Sequence, residues 1–596
     1  MKNVFILAVL VLMSLQMQSQ VSSSYEISFE NAVHHEAEIE GVFKNLKEDE
    51  IEFRMSRTSP GRYALHEFMK NAYNVKVTDG NGRILKAHRP DPYSWRVSGH
   101  NGTIKVSYTL FANHGDGTYS QVDETHAHLN MPATFMYVPE LESHAMEVVF
   151  NVRKDLNWKI ATQLKPLGDG RYYAPNLQYF MDSPTEISNH DSRSFEVDGQ
   201  VVHLVLHHHG STTEMDEYFE SVKKVVLEQK AVFGELPNFD YQNYYFLACY
   251  IPNVTGDGME HRNSTIIPST TSLANGGMRR NIGTVSHEFF HCWNVERIRP
   301  ESLEPFDFEN VNMSGELWFA EGFTSYYTGL ILCRAGLMPE DDYVKGLIGT
   351  FNYVWNSPGR SFFNPIEMSY QAPFVDAARS VDPVNKSNTF ISYYSYGSVL
   401  GLALDLSLRA RGLNLDDYMK LVWETFGKTE TSYTVQGLHD VLIKYTGTTF
   451  ANDFFNNHIY DSMMPKMTAA FENVGVFLNR RHDKLWFGGA VMEGEITSNT
   501  TIYSPAYNAG LEQGDILISV GDFKLSETLK FNEILSGFRP DDKVKIIFKR
   551  YGQLKETEVV FSTDPSYVIS TFETMNKQPS ARQLANRKQW LSSKVE

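Results

Sequence analysis

His287-Glu288-Phe289-Phe290-His291 is the stretch that decides how this chain is read. In a helix, residues four apart share a face, so both imidazoles can address one ion. Glu288, beside the first histidine, can reach a water bound to that ion, which is the two-histidine-plus-base geometry of zinc-dependent hydrolysis. The flanks predict a helix that starts near Asn281 or Thr284, both residue types that cap N-termini, and that Pro300 closes. The plain alternative is an amphipathic helix whose histidines pack or face solvent. Zinc needs more than this pair: a third protein ligand and an open position for water or substrate.

Glu316-Leu-Trp-Phe-Ala-Glu321-Gly-Phe-Thr-Ser-Tyr-Tyr supplies two candidates for the third ligand. Five residues apart, they lie about 140° around a helix and cannot share a face. Thr324 and Thr328 fall on the face of Glu321 and could orient its carboxylate, whereas Glu316, near the helix start, suits a favourable charge on the helix dipole.

The two blocks, His287–Pro300 and Glu316–Tyr327, resemble the glycyl aminopeptidase family of zinc peptidases, gluzincins distantly similar to the alanyl aminopeptidases. The resemblance covers most of the mature chain and the order of its domains. It implies one zinc ion per chain held by His287, His291 and Glu321, with Glu288 as the base, and a preference for small N-terminal residues such as glycine. Gly256-Asp-Gly258-Met259-Glu260-His-Arg-Asn-Ser264 is similar to the family's Gly-rich strand and to the exopeptidase motif of the wider aminopeptidases. By that likeness Gly258, Met259 and Glu260 bind substrate, the glutamate holding a peptide's free α-amine and so setting one bond over the metal. The bland alternative is a glycine-rich turn with Glu260 merely exposed. In Ile391-Ser-Tyr-Tyr-Ser-Tyr-Gly-Ser-Val-Leu400, alignment on Gly397 makes Tyr394 the counterpart of the family's oxyanion-stabilising tyrosine, with Tyr393 as the fallback. Tyr396 stands where lysine is usual. Tyrosine clusters also arise from simple packing.

At 596 residues the chain is multi-domain, and 42% hydrophobic with 13% aromatic residues describes a globular protein. Its formal charge of −18 argues against nucleic-acid binding, which wants a basic face. Residues 1–20 read as a secretory signal: Lys2 precedes ten apolar residues, Val4 to Met13, too few to span a bilayer, and no later run is long enough. The expectation is a secreted or periplasmic protein, cleaved between Gln18 and Ser24, with no membrane span after signal removal. Cys249, Cys292 and Cys333 read as buried free thiols in apolar surroundings, and Cys292 lies one residue off the histidine face.

The expected fold class is multi-domain α+β. Residues 21–200 form a β-rich N-terminal domain of short alternating runs, in which Ser59-Pro-Gly-Arg-Tyr63 matches the family in position. Residues 201–474 form a mainly α-helical, thermolysin-like (gluzincin) catalytic domain, with helical patterns at 343–354, 398–410, 415–425 and 435–445. Residues 475–565 form a PDZ-like domain. Its segment Ala506–Asp522 resembles the helix-turn-strand of that fold, and Leu485-Trp-Phe-Gly-Gly489 would be the loop that holds a peptide's C-terminus. The alternative for this module is docking without peptide binding. The 566–596 tail is assigned no function, its weak helical pattern placing Leu584 and Leu591 on one face. His126-Ala-His128 and His207-His208-His209 read as structural or rim residues rather than as a second metal site. An endopeptidase that captures chains through the PDZ-like unit is the competing function, and a binding protein of weak activity is the third.

Overall fold

The computed structural model describes residues 21–375, 384–526 and 530–595, so the signal-peptide reading of residues 1–20 lies outside the described residues. The described residues divide into two compact units, one of those up to 313 together with 426–432 and the other of those in 314–425 together with those from 433 onward.

The first unit opens on an eight-stranded sheet. Its strand Glu36–Lys44 alternates buried and exposed residues, so one face carries Ile39 and Phe43 into a core shared with Tyr25, Val106, Tyr108, Phe135 and Phe180. Beside it lies a four-stranded sheet that contains β1 (His126–Leu129) and β2 (Thr185–Ser188), paired antiparallel with His128 opposite Glu186. This is the expected β-rich N-terminal region.

Further along this unit a five-stranded sheet begins. Its strand β3 (Gln200–His208) runs parallel to β4 (Asn243–Tyr250), and the crossover that a parallel pair requires is α1 (Thr212–Phe233). A capping box of Ser211 and Glu214 starts α1, and Gly234, at φ 88°, ends it. From Tyr244 to Tyr250, β4 is buried at all but one residue, as a strand covered on both faces must be. The sheet closes with β5 (Met259–His261), antiparallel to β6 (Ser264–Pro268) at its edge. Helix α2 (Ile282–Phe290) carries the opening motif.

The second unit is helical up to about residue 472. Its α3 (Leu317–Arg334) and α4 (Tyr393–Arg409) touch backbone to backbone, because a Cβ on Gly322 would lie 2.7 Å from the carbonyl carbon of Gly397. Helix α4 begins at Tyr393, five residues before the expected start, so the tyrosine cluster is its first turn. Buried charges stay paired: Arg409 meets Asp405 at 2.9 Å and Arg334 meets Asp416 at 3.0 Å.

Residues 485–563 of this unit have their own core, including Phe487, Ile496, Leu517, Phe531, Ile546 and Phe561, around a six-stranded sheet. A short helix, Pro505–Asn508, precedes the strand Ile516–Val520. The tail returns to the helical part: Tyr567–Thr571 pairs with Val476–Arg480, and α5 (Ala581–Leu591) buries Trp590, whose indole donates to the Tyr326 hydroxyl at 3.0 Å. The expected apolar face is half right, since Leu591 is buried and Leu584 is exposed. No described helix is long and apolar enough to cross a membrane.

Candidate active site

Helix α2 is held by its apolar stripe. Ile282, Val285, Phe289 and Phe290 are buried, and Phe289 packs on Tyr244 and Phe246 of β4 at 5.0 and 5.3 Å. Phe290 meets Phe233 of α1 at 5.2 Å. The ends differ from expectation. Asn281 stands at the N-cap position, but its amide accepts from Ser269 Oγ and donates to Thr271 O, so it ties down the preceding loop instead of capping. Thr284 lies inside the helix. Pro300 does not close the run either, since regular helix stops at Phe290 and turns follow. Buried Arg297 fixes that exit by donating to the carbonyls of Cys292, Arg262 and Asn238 and to Asn263 Oδ1.

The early stop shapes the histidine pair. His291 Nδ1 lies 2.6 Å from the carbonyl oxygen of Asn294. A carbonyl only accepts, so Nδ1 carries the proton and Nε2 presents its lone pair. His291 Nε2 lies 3.2 Å from His287 Nε2. Two imidazoles on one tetrahedral zinc would stand roughly 3.3 Å apart, so this pair fits that ion.

Glu260, Glu288 and His291 form a buried group whose ligand-type atoms all lie within 4.8 Å of one another. Glu260, on β5, is therefore not the exposed turn residue of the bland alternative; it is 6% exposed. Close packing holds this group. A Cβ on Gly258 would lie 2.6 Å from Glu288 Cδ, so only glycine leaves the carboxylate its place. Gly61, at φ 77°, seats on Met259 and Glu260, and a Cβ there would lie 3.1 Å from Glu260 Oε2 and collide with Met259 Sδ. Met259 is buried under that loop. The segment Ser59–Tyr63, placed by the sequence only through its position, thus helps hold Glu260.

The rest of the Glu-His-Arg-Asn-Ser segment binds protein. His261 Nδ1 meets Asp182 Oδ1 at 2.8 Å, Arg262 pairs with Asp240 and Glu430, and Ser264 Oγ donates to Gln163 at 2.8 Å. Asp182 also accepts from the Arg262 backbone at 2.9 Å, and no sequence signal marked it. Burial and the nearby carboxylates of Asp182 and Glu260 push the Glu296 carboxyl up to about 7.

In the second unit, Glu321 is buried in the second turn of α3. Thr324 donates to Ala320 O at 2.7 Å and Thr328 to Thr324 O at 2.9 Å, so both hydroxyls are anchored on the helix backbone. Glu316 is the N-cap residue of α3 and accepts from Ser314 Oγ and Val435 N. Tyr394 is half-buried and its ring lies 4.8 Å from that of the buried Tyr393. The three cysteines are buried and free, and burial pushes the Cys292 thiol up to about 12. Cys249 departs from the expected apolar surroundings, since it faces two histidines.

Residues 24–189 match the Peptidase M61 N-terminal domain and residues 280–400 match M61 glycyl aminopeptidase. None of the curated proteins matches the chain. Among solved structures, an aminopeptidase N family protein from Idiomarina loihiensis is similar over 96% of this chain and 100% of its own, with TM-score 0.81 and 24% identity. An M1 zinc metallopeptidase from Deinococcus radiodurans, bound to a Tyr-Ser-Ala substrate, is 12% identical over 75% of this chain and 96% of its own, with TM-score 0.43. Two segments of the chain thus match domains of a peptidase family, and its fold is that of the first of these structures.

Proposed function

We propose that this chain is a zinc-dependent aminopeptidase that removes small N-terminal residues, glycine or alanine, from peptides. The observation that carries the reading is the second buried carboxylate, Glu260, beside Glu288 and His291. His287, His291 and Glu321 would hold the ion, one per chain. When bound, zinc supplies Lewis acidity at the scissile carbonyl and lowers the pKa of water. Glu288 takes the proton from the attacking water and passes it to the leaving amine. Glu260 pairs with the substrate's α-ammonium, a strong interaction where both partners leave water, and Gly258 and Met259 shape the floor around it. Tyr394, half-buried where Tyr393 is buried, donates its hydroxyl to the oxyanion. The preference for small residues rests on the likeness to glycyl aminopeptidases alone.

Residues 475–565 are proposed as a PDZ-like module in which the Leu485–Gly489 loop takes a peptide's C-terminus. A cavity of 820 Å³ lies elsewhere on the same module, lined by Val491–Gly494, Leu517 and Phe531. The leader over residues 1–20 places the enzyme in the periplasm or outside the cell in this reading.

Glu288→Gln tests the mechanism. It should keep zinc by elemental analysis and lose about 10²- to 10⁴-fold in kcat. Full hydrolysis by the zinc-loaded variant would contradict the role of Glu288.

A further inference from the structure

Four strands of the first unit bring four ligand-type side chains to one buried point. His126 comes from β1 and Glu186 from β2, His207 from β3 and Cys249 from β4. His207 and Cys249 stand directly opposite in the parallel register of β3 and β4. The first two residues belong to the four-stranded sheet and the last two to the five-stranded sheet, which pack through Ala161, Val205 and Leu247. All four are buried, His126 at 0% exposure and Glu186 at 1%.

The spacing is that of ligands around one ion. His126 Nδ1 lies 3.2 Å from His207 Nδ1, and Cys249 Sγ lies 3.3 Å from His207 Nδ1 and 3.7 Å from His126 Nδ1. Glu186 Oε1 stands 3.7 Å from His207 Nδ1. For tetrahedral zinc with ordinary bond lengths, nitrogens stand roughly 3.3 Å apart and a nitrogen and a sulfur roughly 3.6 Å.

Hydrogen bonding alone leaves this cluster unsatisfied. It needs one imidazole to donate to the other, and it leaves the buried Glu186 Oε1 without a hydrogen-bond partner. Only Oε2 of that carboxylate is engaged, by His128 Nδ1 at 3.4 Å. A divalent cation with one thiolate and one carboxylate is charge-neutral, which suits a site closed to water.

We propose that His126, His207, Cys249 and Glu186 form a structural zinc site that staples the two sheets together. Four protein ligands close the coordination shell, so this site binds no substrate. The thiol gives up its proton on binding, and the thiolate and imidazoles favour zinc over hard cations. The site is independent of the proposed peptidase centre, whose ligands include no sulfur.

Cobalt reads this difference directly, because a thiolate bound to Co(II) adds a near-ultraviolet charge-transfer band that nitrogen and oxygen ligands lack. The full-length chain, stripped and refilled with Co(II), should show that band, and Cys292→Ser should retain it. Cys249→Ser should lose the band, and its zinc content should fall from about two equivalents to about one. Absence of the band at two equivalents of Co(II) in the unmutated chain overturns the proposal without any variant having to fold. Persistence of the band in Cys249→Ser overturns it equally.

Discussion

Two histidine pairs in the first unit have their facing nitrogens the same 3.2 Å apart, yet their surroundings differ. His287 and His291 come from one helix four residues apart, and His287 is only half-buried. Around them stand Glu288 and Glu260, which can move a proton and hold an ammonium. His126 and His207 come from two sheets, are sealed from solvent and have a thiol as a neighbour. Equal spacing therefore says only that an ion fits. Access and the chemistry of the surrounding groups separate a site that works on substrate from one that holds strands together.

Paired variants should break this comparison most visibly. His291→Ala is expected to lose one zinc and nearly all hydrolysis, about 10³-fold or more, with a small change in Tm. Cys249→Ala should also lose one zinc, keep its kcat/KM, and fall in Tm by roughly 5 °C. Elemental analysis, peptide hydrolysis and calorimetry on the same preparations would separate the two outcomes.

Glu260→Gln comes next. Leaving an ammonium without its buried partner should lower kcat/KM on free peptides by about 10²-fold, mostly through KM, while zinc stays bound. Gly258→Ala should cost about tenfold, because the added methyl pushes on the Glu288 carboxylate, and the loss should fall on kcat. The smallest effect is on stability. The folded Glu296 carboxyl sits near 7, above its ordinary value, so its contribution is present below about pH 4.5 and is lost as pH rises through 7. Glu296→Gln should therefore raise Tm by about 1–3 °C at pH 8 and leave it close to unchanged at pH 5.

What the sequence made legible follows the range of each contact. The histidine pair was readable because i and i+4 share a helical face whatever the tertiary structure. The helix ends were not, because Asn281 and Arg297 are claimed by loops that local propensity cannot foresee. Glu260 was marked by its motif, but its burial depends on Gly61, about two hundred residues earlier and on a separate loop. The sequence reads the second cluster as structural or rim histidines and an apolar cysteine; burial excludes only the rim, and two facing histidines exclude only the wholly apolar thiol. Its members sit at 126, 186, 207 and 249, and only the register of two sheets unites them. The tail helix shows the same limit: the residues that anchor it are Trp590 and Leu591, chosen by the surface of α3 rather than by the leucine pattern.

In the proposed function, Glu260 makes a generic metallohydrolase centre into an aminopeptidase. Rates of hydrolysis for one peptide series, offered with a free and with an acetylated N-terminus, test it most directly. Single N-terminal residues should be lost rapidly from the free peptides, and the acetylated ones should be cleaved at least about 10²-fold more slowly, a gap that Glu260→Gln closes. Equal cleavage of both, or cleavage at internal bonds, would contradict it and make the enzyme an endopeptidase.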